Sequence, residues 1–238
     1  MDIYGKALID YLNGNYTEDM QSETSISEYD AFPIPYLFRS FNEMPIMEQK
    51  ALELSKGKVL DIGSGSGSHS LYLQEKGLDV TAIDTSQGAC EVARERGVKK
   101  VKCEDVRNLS TKEKYDTLLL MMNGAGMAGK LKDSLGFYLK LKNLLTDKGQ
   151  ILVDSTDIIY MFQDEDGGIW KDLNSDYYGE VIFKISYKGQ ESEPFNWVYI
   201  DFENLKYIAE QAGMIAEKIV DGPYYNYLAR LTIAPTKS

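Results

Sequence analysis

The chain has 238 residues, 43% hydrophobic and 26% charged, with a formal net charge of −11 and a pI near 4.7. That length is enough for one domain with additions, and the acidic balance, with no basic stripe to neutralise phosphates, argues against nucleic acid as a partner. Cys90 and Cys103 cannot build a disulfide framework or a four-ligand zinc site, no apolar run approaches a membrane span, and Met1–Gly5 has no export-signal character, so a cytoplasmic protein without a membrane partner is expected.

Ile3, Tyr4, Ala7, Leu8, Tyr11 and Leu12 recur at helical spacing and predict an amphipathic helix. A polar stretch runs to about Glu28 and is followed by the aromatic piece Tyr29–Arg39, where Pro33 and Pro35 argue against regular structure. Met44–Leu54 reads as helix again. Residues 1–55 are therefore expected to form a helical and aromatic cap, with the main domain over 56–238.

From Lys56 short apolar runs alternate with helical patterns. Lys58–Ile62, Leu78–Ile83, Val98–Cys103, Tyr115–Met122 and Gln150–Asp154 read as strands, and Ser68–Lys76, Gln87–Arg96 and Leu131–Leu145 as helices. This alternation marks an α/β fold with a parallel sheet covered on both faces. Residues 155–201 break the pattern as an insertion, in which Glu180–Tyr187 and Phe195–Asp201 suggest an antiparallel hairpin across Lys188–Gln190. Phe202–Ala212 is then a helix, ended by Gly213, and Ile215–Val220 and Tyr225–Ile233 are two further strands.

The chemistry concentrates in Val59-Leu60-Asp61-Ile62-Gly63-Ser64-Gly65-Ser66-Gly67-Ser68, an apolar strand, a glycine at every second position, and a helix start. Glycines let a ligand approach the backbone, and the helix directs free N–H groups at it. Dinucleotide-binding loops are close relatives, but their third glycine falls one place later. Asp61 would repel a pyrophosphate and suits an ammonium group instead. Asp84 ends the second strand about twenty residues on, the spacing of a carboxylate on a ribose diol. Glu104-Asp105-Val106 follow the third strand, an acid beside an apolar residue, with Glu104 able to replace Asp105 after a small register change, and Asn123-Gly124-Ala125-Gly126 follow the fourth.

These residues resemble the class I S-adenosylmethionine-dependent methyltransferases, best over Lys56–Asp154. The resemblance implies a doubly wound, Rossmann-like, seven-stranded, mostly parallel sheet in the order 3-2-1-4-5-7-6, with S-adenosylmethionine as cofactor. It implies that Asp61, Gly63, Gly65 and Gly67 surround the methionine part, that Asp84, with Thr85 beside it, takes the ribose, and that Asp105 and Val106 take adenine. Asn123 and Gly124 would lie under the sulfonium. An Asp/Asn-Pro-Pro-Tyr/Phe tetrad is absent after the fourth strand, and Asn123 lacks the charge that metal-dependent catechol-type members place there. Both subclasses, and a metal, are disfavoured.

Other candidates rest on position. Tyr36 and Arg39 are placed to hold the cofactor carboxylate from a flap, or to pack on the sheet. His69, the single histidine, is a weak candidate for a catalytic base. Between Lys56 and Asp154 the only tyrosines are Tyr72, Tyr115 and Tyr138; the rest, and both tryptophans, lie in the additions. Trp170, Tyr178 and Trp197 are therefore candidates for aromatic walls of a substrate chamber, or for ordinary packing. The expected reaction is in-line methyl transfer to an oxygen, nitrogen or carbon of a small molecule. A noncatalytic cofactor-binding regulator and a nicotinamide oxidoreductase are the alternatives.

Overall fold

The computed structural model describes residues 2–162 and 177–235; Trp170 lies outside them. The elements in chain order are α1 (Ile3–Leu12), β1 (Met20–Thr24), β2 (Asp30–Phe32), α2 (Ile46–Leu54), β3 (Lys58–Ile62), α3 (Ser68–Glu75), β4 (Asp79–Asp84) and α4 (Gln87–Glu95). They continue as β5 (Val101–Cys103), β6 (Tyr115–Leu120), α5 (Leu131–Lys142), β7 (Leu145–Thr156), β8 (Glu180–Tyr187), β9 (Gln190–Glu191), β10 (Phe195–Val198), α6 (Phe202–Gln211), β11 (Met214–Asp221) and β12 (Asn226–Ile233).

Seven strands form the main sheet in the order β11-β12-β7-β6-β3-β4-β5. Counted along the main sheet this is 3-2-1-4-5-7-6, as the resemblance implied. The five strands from β3 to β7 run parallel, while β12 pairs antiparallel with both β7 and β11. The central strands read as continuous apolar runs because helices cover both faces; Leu60, Leu118, Leu119, Leu152 and Val153 are all fully buried. The order reverses between β3 and β6, which opens a crevice at the carboxyl ends of those strands.

The N-terminal segment departs from the sequence expectation. Its polar stretch and aromatic piece contain β1 and β2, which join the hairpin insertion in a second, antiparallel sheet of order β10-β8-β1-β2, with β9 also paired to β8. Met20, Ser22 and Thr24 alternate onto one face of that sheet with Val181, Phe183 and Ile185 beside them, and all six line a cavity. A strand whose inward face borders a cavity does not need apolar residues there, which hides it from a search for hydrophobic alternation.

Helix α1 is locked onto the main domain by a close backbone crossing. A Cβ on Gly88 would lie 2.6 Å from the Gly5 Cα, and one on Gly5 would lie 2.7 Å from the Gly88 Cα. Asp2 serves both helices: its carboxylate accepts the Gly5 N–H (2.8 Å), the Gly88 N–H (2.9 Å) and the Ser86 hydroxyl. Carboxylates at helix N-termini satisfy orphan donors and complement the dipole. The lock brings Tyr4 over the glycine loop.

Candidate functional site

The crevice and the second sheet enclose a cavity of about 1610 Å³. Its floor is the carboxyl edge of β3, β4 and β6. Gly63, Gly65 and Gly67 all have positive φ (72°, 53° and 84°), backbone that residues with a Cβ rarely adopt. Gly63 and Gly65 line the cavity, and a Cβ on Gly65 would lie 2.7 Å from the Tyr4 hydroxyl. Gly67 is not on its wall. A Cβ there would meet Val98 at 2.8 Å and Ala93 at 3.2 Å, so this glycine serves the close packing of α3.

Asp84 lines the cavity with its carboxylate held by two backbone donors, the Gly65 N–H (2.8 Å) and the Ser86 N–H (2.9 Å). Burial raises its carboxyl above the ordinary range against the pull of those donors. Exposed Thr85 lies beside it on the cavity wall. Asp105 and Val106 line the far end. Burial would raise Asp105, but Arg107 outweighs it, donating from Nε (2.9 and 3.0 Å) and Nη2 (2.6 Å), and holds the carboxyl low. Any ligand that bonds the Asp105 carboxylate therefore competes with Arg107.

At the other end Asp61 is 1% exposed and accepts the Ser70 hydroxyl at 2.6 Å. Burial raises its carboxyl, opposed by His69 and Ser70. His69 lines the cavity, but its Nε2 lies 2.7 Å from the Glu48 carboxylate, so that nitrogen is occupied. Burial disfavours its cation, yet Glu48 and Asp61 outweigh burial and raise its pKa. Arg39 also pairs with Glu48, donates to the Tyr36 carbonyl, and stands 3.8 Å from the Tyr36 ring centroid. The segment carrying Tyr36 and Arg39 is fastened to the glycine loop, because the Leu37 carbonyl accepts from the Ser66 and Ser68 hydroxyls. Arg96 reinforces this by donating to the Ser66 carbonyl at 2.8 Å.

After β6, Met122 and Asn123 both adopt left-handed backbone (φ 65° and 58°) before a short 3-10 turn from Gly124 to Ala128. Asp154, at the end of β7, accepts the Asn123 N–H at 3.0 Å and the Gly124 N–H at 3.1 Å. Asn123 lines the cavity; Gly124 is buried behind it. Burial pushes the Asp154 carboxyl up to about 6, partly offset by those N–H donors. Its folded pKa thus lies above its unfolded value of 3.8, so its stabilising contribution is present below about pH 4 and lost as pH rises through about 6. Urea titrations should show wild type losing stability relative to Asp154→Asn across that window. A pH-independent difference would refute the burial of an ionisable Asp154.

The roof is aromatic. Phe183, Phe195 and Trp197 line the cavity from the second sheet and Tyr199 from just beyond β10, with Phe183 and Phe195 stacked at 5.8 Å. Trp197 rests on Gly126, where a Cβ would fall 1.9 Å from the indole Nε1. Tyr178 does not line the cavity; its hydroxyl donates to Asp157 (2.8 Å) and Asp201 (3.4 Å) and its ring packs on Tyr177. Among the described residues, four buried side-chain polar atoms lack a partner, and three of these belong to cavity-lining residues: Arg39 Nε, Ser64 Oγ and Asn226 Oδ1. Orphaned buried polar atoms are costly, and their concentration here points to a polar ligand.

Tyr4, Glu48, Asp154 and Asn226 were not found from sequence. Tyr4 is inside an ordinary amphipathic pattern, and Glu48 sits in a helix that gives no sign of burying an acid. Asp154 was visible only as the last residue of a strand. Among the described residues no group of three or more His, Cys, Asp or Glu side chains has metal-binding geometry, and no helix is long and apolar enough to cross a membrane.

A methyltransferase-domain family model matches residues 59–149, the stretch from β3 into β7. An uncharacterized methyltransferase of Staphylococcus carnosus is 26% identical over 160 residues, covering 67% of this chain and 71% of that one. The CcbJ methyltransferase of Streptomyces caelestis, 15% identical, shares the fold with a TM-score of 0.61 over 81% of this chain and 91% of its own. A SAM-dependent methyltransferase from Bacteroides fragilis, solved in complex with S-adenosyl-L-homocysteine, superposes with a TM-score of 0.92 at 40% identity. That match covers 98% of this chain and 95% of the other, and on its strength this chain belongs to the class I S-adenosylmethionine-dependent methyltransferases.

Proposed function

We propose that this methyltransferase acts on a small molecule held between the carboxyl edge of the main sheet and the aromatic face of the second sheet. The observation that carries this reading is the cavity itself. Ligand pockets for one drug-sized molecule are roughly 300–1,000 Å³; about 1610 Å³ leaves room for an acceptor beside the cofactor.

The residues present fit S-adenosylmethionine. Orphaned Arg39 Nε and Ser64 Oγ suit the amino-acid end, with Tyr36 and Arg39 on the carboxylate and Asp61 toward the ammonium. Gly63 and Gly65 give backbone access below it. Asp84 suits the ribose diol, and Asp105 and Val106 the adenine edge and face. Asn123 stands where the sulfonium would lie. The cofactor brings a methyl group already activated on sulfur. What the chain contributes is alignment and exclusion of water: the turn braced by Asp154 and the wall formed by Trp197, Phe183 and Tyr199 hold the two reactants in line.

Incubation with methyl-labelled cofactor and cell extract tests the acceptor class. Label in the low-molecular-weight fraction, lost with Trp197→Ala while S-adenosylhomocysteine binding persists, is the expected result. Label confined to protein or nucleic acid would overturn it.

A further inference from the structure

Glu48 is 4% exposed, on the first turn of α2, where a carboxylate is expensive to desolvate. Two side chains from different segments, the Arg39 guanidinium and the His69 imidazole, converge on the same oxygen, Oε2. Arg39 Nη2 reaches it from the flap after the Ile34–Phe38 turn, and His69 Nε2 reaches it from α3 at 2.7 Å. Burial would raise the Glu48 carboxyl, but His69 and Arg39 outweigh this and keep it low.

We propose that Glu48 is a positioning residue for cofactor binding: by tying Arg39 to His69 it presets the guanidinium for the carboxylate of the cofactor's methionine moiety. This rests on the reading that places Arg39 at the methionine end. An arginine side chain carries substantial rotamer entropy, which must be lost when it orders on a ligand. Glu48 and His69 sit on helices packed against the main sheet, so the tie holds Arg39 in place before the ligand arrives. The tie occupies Nη2 and the Tyr36 carbonyl occupies Nη1, which leaves buried Nε without a partner.

The test compares two ligands that share adenosine: S-adenosylhomocysteine, which has the amino-acid carboxylate, and 5′-methylthioadenosine, which lacks it. Glu48→Met should weaken S-adenosylhomocysteine about tenfold, the scale of one hydrogen bond to a charged group, and leave methylthioadenosine within about twofold. Glu48→Gln keeps one acceptor oxygen and should lie between, and it carries the test if the Met variant does not fold. Arg39→Ala should show the same ligand-selective loss, and adding Glu48→Gln to it should cost nothing further. Equal losses for both ligands, or none, in the Glu48 variants alone would overturn the brace and leave Arg39 in its role. Absence of selectivity in Arg39→Ala would remove both readings.

Discussion

Replacing Asp84 by alanine is expected to weaken S-adenosylhomocysteine and 5′-methylthioadenosine alike, by about a hundredfold or more. The carboxylate lines the cavity, and a ribose diol would offer it two hydroxyl donors. Hydrogen bonds to a charged group contribute about 1.5–3 kcal/mol each, and about 3 kcal/mol is already over a hundredfold in affinity. The side chain also braces the loop through the Gly65 and Ser86 N–H groups, so its removal loosens the backbone beneath the ligand. Both ligands contain the ribose, so the loss should be common to them, in contrast to the selective loss expected at Arg39. Asp84→Asn retains one acceptor oxygen and should fall between. Calorimetric titration of both ligands, with thermal unfolding to verify the fold, decides it. A dissociation constant within about threefold of wild type would remove Asp84 from the ribose, because even one charged hydrogen bond is worth more.

A large effect on the folded state is expected at Gly126. A Cβ there would stand 1.9, 2.2 and 2.4 Å from three atoms of the Trp197 indole, none of them the end of a flexible chain. Alanine must therefore displace Trp197, and overpacking of this kind typically costs about 1–3 kcal/mol. The displaced indole is part of the cavity roof, which couples the packing defect to the proposed acceptor chamber. Asp84 and the glycine loop lie outside the turn that carries Gly126, whereas Asn123 caps it, so loss of S-adenosylhomocysteine binding should come only through Asn123. A double-mutant cycle isolates the contact: in a Trp197→Ala background, Gly126→Ala should cost close to nothing. Additive losses in urea unfolding would show that the alanine acts elsewhere.

The sequence groups Trp197 with Tyr178 and Trp170 only as aromatics of the additions; Trp197 lines the cavity. Tyr178 belongs to a hydroxyl network with Asp157 and Asp201, which no local pattern announces. Trp170 lies outside the described residues. Aromatic enrichment in the additions signals where walls can be built, but which ring faces inward depends on strand register. Phe183 and Trp197 face the cavity because β8 and β10 pair with Phe195 opposite Phe183 and Trp197 opposite Val181.

The parallel sheet, the glycine loop and the acids at Asp61, Asp84 and Asp105 were legible because each is encoded within a few neighbouring residues. An apolar run makes a strand, glycine permits positive φ, and an acid at a strand's end arrives at the carboxyl edge of the sheet, where the cavity lies, without further instruction. Even there, the packing of Gly67 against Ala93 and Val98 and the grip of Arg107 on Asp105 were not legible, since both depend on side chains meeting in space. The second sheet, the Arg39–Glu48–His69 network, the Asp154 brace and the seat of Trp197 on Gly126 join residues distant in the chain. Burial and pairing decide whether such groups are charged, ordered or strained, and only the packed tertiary structure sets burial and pairing.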